Sequence, residues 1–383
     1  MKTACRASRR VNELKKISPL FGCLLAGLLL SAPDSIAQHS TRVWIGASEG
    51  GIYAGEFDLG NGHVNNLRPV VEGIDGYYIV RHPSKPVLYA ILRTEGPGSI
   101  VSYLIAPDGG LSLQSEIKDR PHGASHINIS DDGRFIAVAY FRTGITGLYR
   151  LDDEGRITTE YAEAQHEGKG PVPDKQWAPH PHWAGFSSDT RFLYVPDLGT
   201  DEIWVYRVQA QQPMLGLVQK ARAPAGSGPR HMAVHPVLDM VYVSDELPAR
   251  VSRYALNRDN GELAYLDSMP PAPEAAGEIE HTVSDIRIHP SGRFLYLVNR
   301  GFDRVSVYAI DPLNGELTPI EREPVRGSIS RNMALTADGQ WALVAGQLSN
   351  TLAVFRVDTS TGELTYANQM ASVPTPMAIV IEN

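Results

Sequence analysis

Four short strings in this 383-residue chain bring together side chains that can move protons and hold anions. They are Pro179-His180-Pro181-His182, Gly228-Pro229-Arg230-His231, Asp245-Glu246 and Asn299-Arg300-Gly301. Imidazole exchanges protons near neutral pH, and guanidinium presents a fixed charge with a fork of donors. A carboxylate can orient either group or compete with them for a proton. Each string borders an apolar run, so these groups lie where structural elements begin or end. Residue types alone leave the reaction open.

Other motifs yield to simpler readings. His180, His182 and His231 can be drawn as a zinc set, but no carboxylate spacing supports one, and neither metal nor cofactor is expected. Gly46-Ala47-Ser48-Glu49-Gly50 matches the G-x-S-x-G string of serine hydrolases. That elbow needs a strand-to-helix turn, and here Gly51-Ile52-Tyr53 opens another strand. It reads as a turn, as does Gly96-Pro97-Gly98.

The elements that must position these groups are repeated. Six segments share an apolar strand, a turn, a second strand ending in a polar residue, and a third strand. Their first turns begin at His82, Ser130, Ser187, His235, His289 and Thr336, spaced by 48, 57, 48, 54 and 47 residues. Rich Val, Ile, Tyr and Phe content with Asp-Gly and Asn-Gly punctuation indicates antiparallel strands. Four short strands in about fifty residues is the size of a β-propeller blade. Met377 to Ile381 supplies an inner strand for a seventh blade that Arg42 to Ile45 opens. The expected fold is therefore all-β, a seven-bladed propeller of four-stranded antiparallel blades, closed by the two chain ends in one blade. Such closure removes exposed strand edges.

Alignment on those turns gives meaning to the polar residues. The column five residues upstream holds Tyr77, Ser125, His182, Arg230, Ser284 and Arg331. The next holds Tyr78, His126, Trp183, His231, Asp285 and Asn332. Both are expected to ring the mouth of the central channel. Arg93, Asp197, Asp245-Glu246, Asn299-Arg300 and Gly346-Gln347, at the ends of second strands, should border the same mouth. Such rings can simply solvate a channel and tie blades together, but clustered charges in a cleft also mark a site. His235 and His289, in the turns of the opposite face, are expected to be structural.

The first 37 residues read as a leader. Lys2, Arg6, Arg9, Arg10, Lys15 and Lys16 precede the apolar run Leu20 to Leu30, and Ser35-Ile36-Ala37 offers small residues for cleavage before Gln38. The expectation is a signal peptide over 1–37 and one exported domain over 38–383, periplasmic or extracellular, with no membrane attachment after cleavage. A retained anchor is the alternative, although the apolar run is short for a span. Both cysteines, Cys5 and Cys23, fall in the leader. The remaining chain thus has no disulfide and no thiolate nucleophile. The whole sequence carries a formal charge of −8; without the leader, 29 Lys+Arg stand against 41 Asp+Glu, a net −12. That balance argues against nucleic acid as a partner.

The ordered set of strings is more specific than the repeat. Together with Tyr194-Val195-Pro196-Asp197-Leu198-Gly199 and Arg293-Phe294-Leu295-Tyr296-Leu297-Val298, they closely resemble the seven-bladed propeller lactonases. That family includes the propeller type of 6-phosphogluconolactonase and the carboxy-muconate cyclases, and the resemblance covers about residues 42–383. It implies a site at the channel mouth with His182, Arg230, Glu246 and Arg300 as catalytic residues. His126, His180, His231, Asp285 and Arg331 are the expected substrate-binding neighbours. Lactone hydrolysis would use His182 or Glu246 as base toward water, with the arginines stabilising an oxyanion or holding an anionic lactone. Trp183 stands where smaller residues are usual. A muconate-type lactonizing cycloisomerase and a non-enzymatic binding scaffold are the alternatives that the same fold allows.

Overall fold

The computed structural model describes residues 40–209, 211–269 and 282–382. The expected leader over 1–37 lies outside them. The described residues form seven four-stranded antiparallel sheets, and neighbouring sheets contact one another through their inner two strands, in sequence around a closed ring. Blades are numbered here in chain order. Blade 1 spans 40–71, blade 2 75–120, blade 3 124–165, blade 4 185–222, blade 5 229–269, blade 6 282–324 and blade 7 330–372.

Closure occurs where the repeat places it. Pro376–Ile381 is the innermost strand of blade 1 and pairs antiparallel with Ser40–Ala47. Thr41 Oγ1 donates to the Glu382 carbonyl at 2.5 Å, and the Glu382 amide donates to the Arg42 carbonyl at 2.8 Å. Arg81 of blade 2 then reaches the Glu382 carboxylate at 2.9 Å, so the chain end is also tied to the neighbouring blade.

Strand alternation produces the packing between blades. Second and third strands are buried on both faces, as in Phe192–Asp197 and Met240–Asp245, because each sheet is covered by the sheets on either side. Outermost strands alternate between half-buried and exposed positions, as Leu111–Arg120 does. The apolar cores therefore lie in the gaps between blades, where Tyr194, Val205, Met232, Val243 and Tyr254 pack together. Burial of such large side chains contributes roughly 1.5–3 kcal/mol each.

Polar ties repeat between blades. Tyr89, Tyr242 and Tyr296 donate to the carbonyls of Gly155, Gly315 and Gly362 in the next blade. On the face opposite the mouth, His82, His235 and His289 do the same toward Gly133, Gly292 and Gly339. In each, Nδ1 accepts backbone amide protons of its own turn, so Nε2–H is the donor. Gly339 shows why the turn wants glycine: its φ is +69°, and a Cβ there would lie 2.2 Å from His289 Nε2. These contacts bear out the structural reading of His235 and His289. The Gly46–Gly50 string is the hairpin turn between the first two strands of blade 1, as expected.

Candidate active site

A repeated irregularity in the inner strands builds the mouth. In blade 5, Pro229 pairs with Asp245 and His231 with Ser244, so Arg230 is an extra, unpaired residue. Ser284, Arg331 and Ser125 are bulged in the same way in blades 6, 7 and 3. A β-bulge bends the strand and re-aims a side chain. Strict alternation would send neighbours such as Arg230 and His231 to opposite faces; the bulge lets both serve the channel at successive depths.

The two sequence columns thus form two layers. The deeper layer is a closed polar ring. His231 Nδ1 lies 3.0 Å from Asp285 Oδ1, and Asp285 Oδ2 accepts from Asn332 Nδ2 at 2.8 Å. Asn332 reaches Tyr78 Oη at 3.3 Å, Tyr78 packs on His126 at 4.5 Å, and His126 packs on His231 and Trp183. Asp285 also accepts from the amides of Ile286 and Met333. His126, His231 and Asp285, expected among the substrate-binding neighbours, are 1–3% exposed and are held in this inner ring, whereas His180, His182 and Glu246 line the open cavity at the mouth. With Asp285 as acceptor, His231 carries its proton on Nδ1.

The mouth layer contains the four residues expected to be catalytic. Arg230 Nε lies 2.7 Å from Glu246 Oε2, and Arg300 Nη2 lies 3.0 Å from Glu246 Oε1. One carboxylate is therefore held by guanidinium groups from two blades. Arg230 also donates to the Ser284 carbonyl, and Arg300 to that of Val283 at 3.3 Å. Burial pushes the Glu246 carboxyl up, but Arg300 and Arg230 outweigh it and hold the group below its usual range. Burial pulls Arg230 down to about 10, and Glu246 opposes that shift. One carboxylate between two guanidinium groups leaves one net positive charge at the clamp, and Arg331 adds to the positive field around it.

His182 stands beside this cluster, with its ring 5.3 Å from that of His231 and 5.5 Å from Phe141. Its Nδ1 is buried without a hydrogen-bond partner. Burial first, then the charges of Arg230, His231 and Arg300, drive its pKa well below the ordinary value. The expected near-neutral titration is corrected here: the site keeps the imidazole neutral across physiological pH because its protonated form would be buried among cations. A neutral imidazole can still accept a proton transiently.

His180 donates its backbone amide to Asp197 at 2.7 Å, stacks on Phe141 at 4.5 Å, and places Nδ1 2.9 Å from the Phe141 carbonyl. Arg331 places Nε 2.6 Å from Gln347 Oε1. A cavity of about 670 Å³ opens at the mouth, with His180, His182 and Glu246 on its wall; Arg230 and Arg300 act on it from behind Glu246. Among the described residues, no three His, Cys, Asp or Glu side chains are disposed to hold a metal. Sequence reasoning missed His166, which is buried with Nδ1 2.7 Å from Asp197 Oδ2 and stacks on Trp204 at 4.0 Å. It also missed Phe141 and Trp177 on the cavity wall. Only the 57-residue spacing hinted at added structure there.

Residues 39–381 match the family model described as lactonase, 7-bladed beta-propeller. The chain belongs to that family. Similar proteins named 6-phosphogluconolactonase occur in Bacillus subtilis (27% identical, covering 87% of this chain and 95% of that one) and Formosa agariphila (31%, covering 82% and 90%). A solved structure of a periplasmic gluconolactonase from Pseudomonas aeruginosa superimposes with a TM-score of 0.83 at 27% identity, covering 90% of this chain and 99% of the other. The lactonase fold and its relatives thus agree with the architecture that the repeat implied.

Proposed function

We propose that this protein hydrolyses the lactone of a sugar acid at the mouth of the channel. One observation carries the reading: a neutral, buried His182 beside a carboxylate clamped by two arginines, on the wall of an open cavity. The family and the names of its relatives agree with it.

The chemistry follows from the charges. Glu246 is committed to Arg230 and Arg300, which makes it a poor base and a good anchor. His182 takes a proton from water as the water oxygen bonds to the lactone carbonyl carbon. The surplus positive charge of the arginine pair stabilises the oxyanion. The ring C–O bond then breaks, and the departing oxygen takes up the proton as the open acid forms. Asp285 supports this indirectly by fixing the tautomer of His231 beneath His182. With one net positive charge at the clamp, neutral lactones are acceptable as well as anionic ones.

The leader-like start and the likeness to a periplasmic enzyme support export after cleavage before Gln38. Purified protein should be assayed against glucono-δ-lactone, its 6-phosphate and a carboxy-muconate. Acid release from either lactone above the spontaneous rate supports hydrolysis. Turnover of the muconate alone would make the protein a cycloisomerase, and turnover of none would leave a binding scaffold.

A further inference from the structure

The long connection between blades 3 and 4 delivers His180 and His182 to the site at its end, but its stretch before them has no role in the chemistry above. Residues 166–184 join Gln165 to Gly185 with no strand of their own, and a connection of that length in a compact domain is usually functional. It is firmly held. Gln176 is fully buried; its Nε2 donates to the Leu198 carbonyl at 2.8 Å and to Asp201 at 2.6 Å, while its Oε1 accepts from the Val172 amide. His166 fastens the start of the segment to Asp197 and Thr146.

This fixed segment presents an aromatic ring to the cavity. Trp177 is 64% exposed and lines the mouth, whereas Trp44, Trp204 and Trp341 are at most 4% exposed. The indole meets His180 edge-on at 4.9 Å, His180 stacks on Phe141 at 4.5 Å, and Phe141 meets His182 at 5.5 Å. An aromatic wall therefore runs from the candidate base to the outer lip. Asp174 and Lys175 of the same segment, and Arg142 across from it, bring polar groups to that outer part. The cavity, about 670 Å³, is of a size that takes drug-sized ligands. A single six-membered lactone of about twelve heavy atoms would fill only its inner part.

We propose that Trp177 floors a second sugar subsite, so that the preferred substrate is an aldonolactone bearing a glycosidically linked sugar ring. The inner lactone would sit against His182 and Glu246, and the apolar face of the outer ring would lie on the indole. Asp174, Lys175 and Arg142 would meet the outer hydroxyls. A large, rigid aromatic surface with polar groups around it suits a ring that is apolar on its face and hydroxylated at its edge. This inference rests on the lactonase reading of the inner site.

The test compares cellobiono-δ-lactone with glucono-δ-lactone in the wild type, Trp177→Ala and Trp177→Phe. A second arm titrates intrinsic fluorescence with the open acids, cellobionate and gluconate. The wild type should favour the disaccharide lactone in kcat/KM by about tenfold, and Trp177→Ala should lower that ratio by about fivefold or more. Trp177→Phe should keep most of the preference. Cellobionate should perturb the exposed indole, an effect lost in Trp177→Ala. Equal kcat/KM values in the wild type, or a ratio unmoved by Trp177→Ala, would overturn the subsite while leaving lactone hydrolysis intact. If neither lactone is turned over yet cellobionate binds through Trp177, the subsite stands and the hydrolase reading falls.

Discussion

Arg230, on the inner strand of blade 5, and Glu246, the first residue after the adjacent strand, stand with 2.7 Å between Nε and Oε2, the arginine side chain 3% exposed and the carboxylate 18%. Arg230 reaches this position because it is the bulged residue of its strand. Two desolvated charges cost energy singly and recover it only together, so removing one should cost more than the pair contributes. Urea unfolding of Arg230→Ala, Glu246→Gln and the double variant should yield a coupling energy of about 1–3 kcal/mol. A coupling near zero would mean that the contact is not maintained in solution.

The same arginine should matter to turnover. Arg230→Ala is expected to lower kcat/KM on a sugar lactone by roughly 10²-fold, because it removes one of the two fixed positive charges that stabilise the oxyanion. Arg230→Lys keeps the charge but cannot span Glu246 and the Ser284 carbonyl with one planar fork, so it should recover only part of the rate. Full activity in Arg230→Lys would reduce the role of the fork to simple charge.

His182 sets the acid limb of the pH profile. Its pKa lies well below the ordinary value, chiefly through burial, so it stays neutral until the pH falls far below 6.5. If it is the base, kcat/KM for the wild type should be flat through neutrality and fall only in that more acidic range. His182→Ala should lose roughly 10²–10⁴-fold and the limb with it. An inflection near 6.5 in the wild type would point to another group.

How much of this was legible in sequence differs between fold and site. Turn strings such as His289-Pro290-Ser291-Gly292 recur because each blade needs the same hairpin and the same tie to its neighbour. A repeat of that kind exposes both the blade count and the closing strand. The columns containing Arg230 and His231 were visible too, but not the bulge that separates them in depth, since it depends on pairing with Ser244 and Asp245. The neutrality of His182 arises from burial among groups brought in by blades 5 and 6, which no local string records. Trp177 and Phe141 stand outside the repeat altogether, one in the long connection and one in a turn of blade 3.

Ring closure should carry much of the stability. Deleting residues 376–383 would strip blade 1 of its inner strand and leave Ser40–Ala47 unpaired on one edge. Thermal unfolding of the truncated chain should shift down sharply and become less cooperative, with increased aggregation. A truncated protein melting within a few degrees of the full chain would show that the closing strand contributes little.

Asp245 offers a test of stability against pH in which the sign is fixed by its surroundings. The carboxyl is 1% exposed; Ser252 donates to Oδ2 at 2.5 Å, but Oδ1 is buried without a partner. Burial raises its pKa to about 7, with only partial compensation from the Ser252 hydrogen bond. In the unfolded chain the same group ionises near 3.8. Between those values the folded state holds a proton that the unfolded state has released, so this group makes the protein less stable as pH rises from about 4 to 7. Above 7 the full penalty applies. Asp245→Asn keeps the shape and an oxygen able to accept from Ser252, yet cannot ionise. Its stability relative to wild type should therefore rise between pH 5 and pH 8, measured by urea unfolding at both. A pH-independent difference between the two proteins would show that Asp245 ionises freely in the folded state, through water reaching Oδ1.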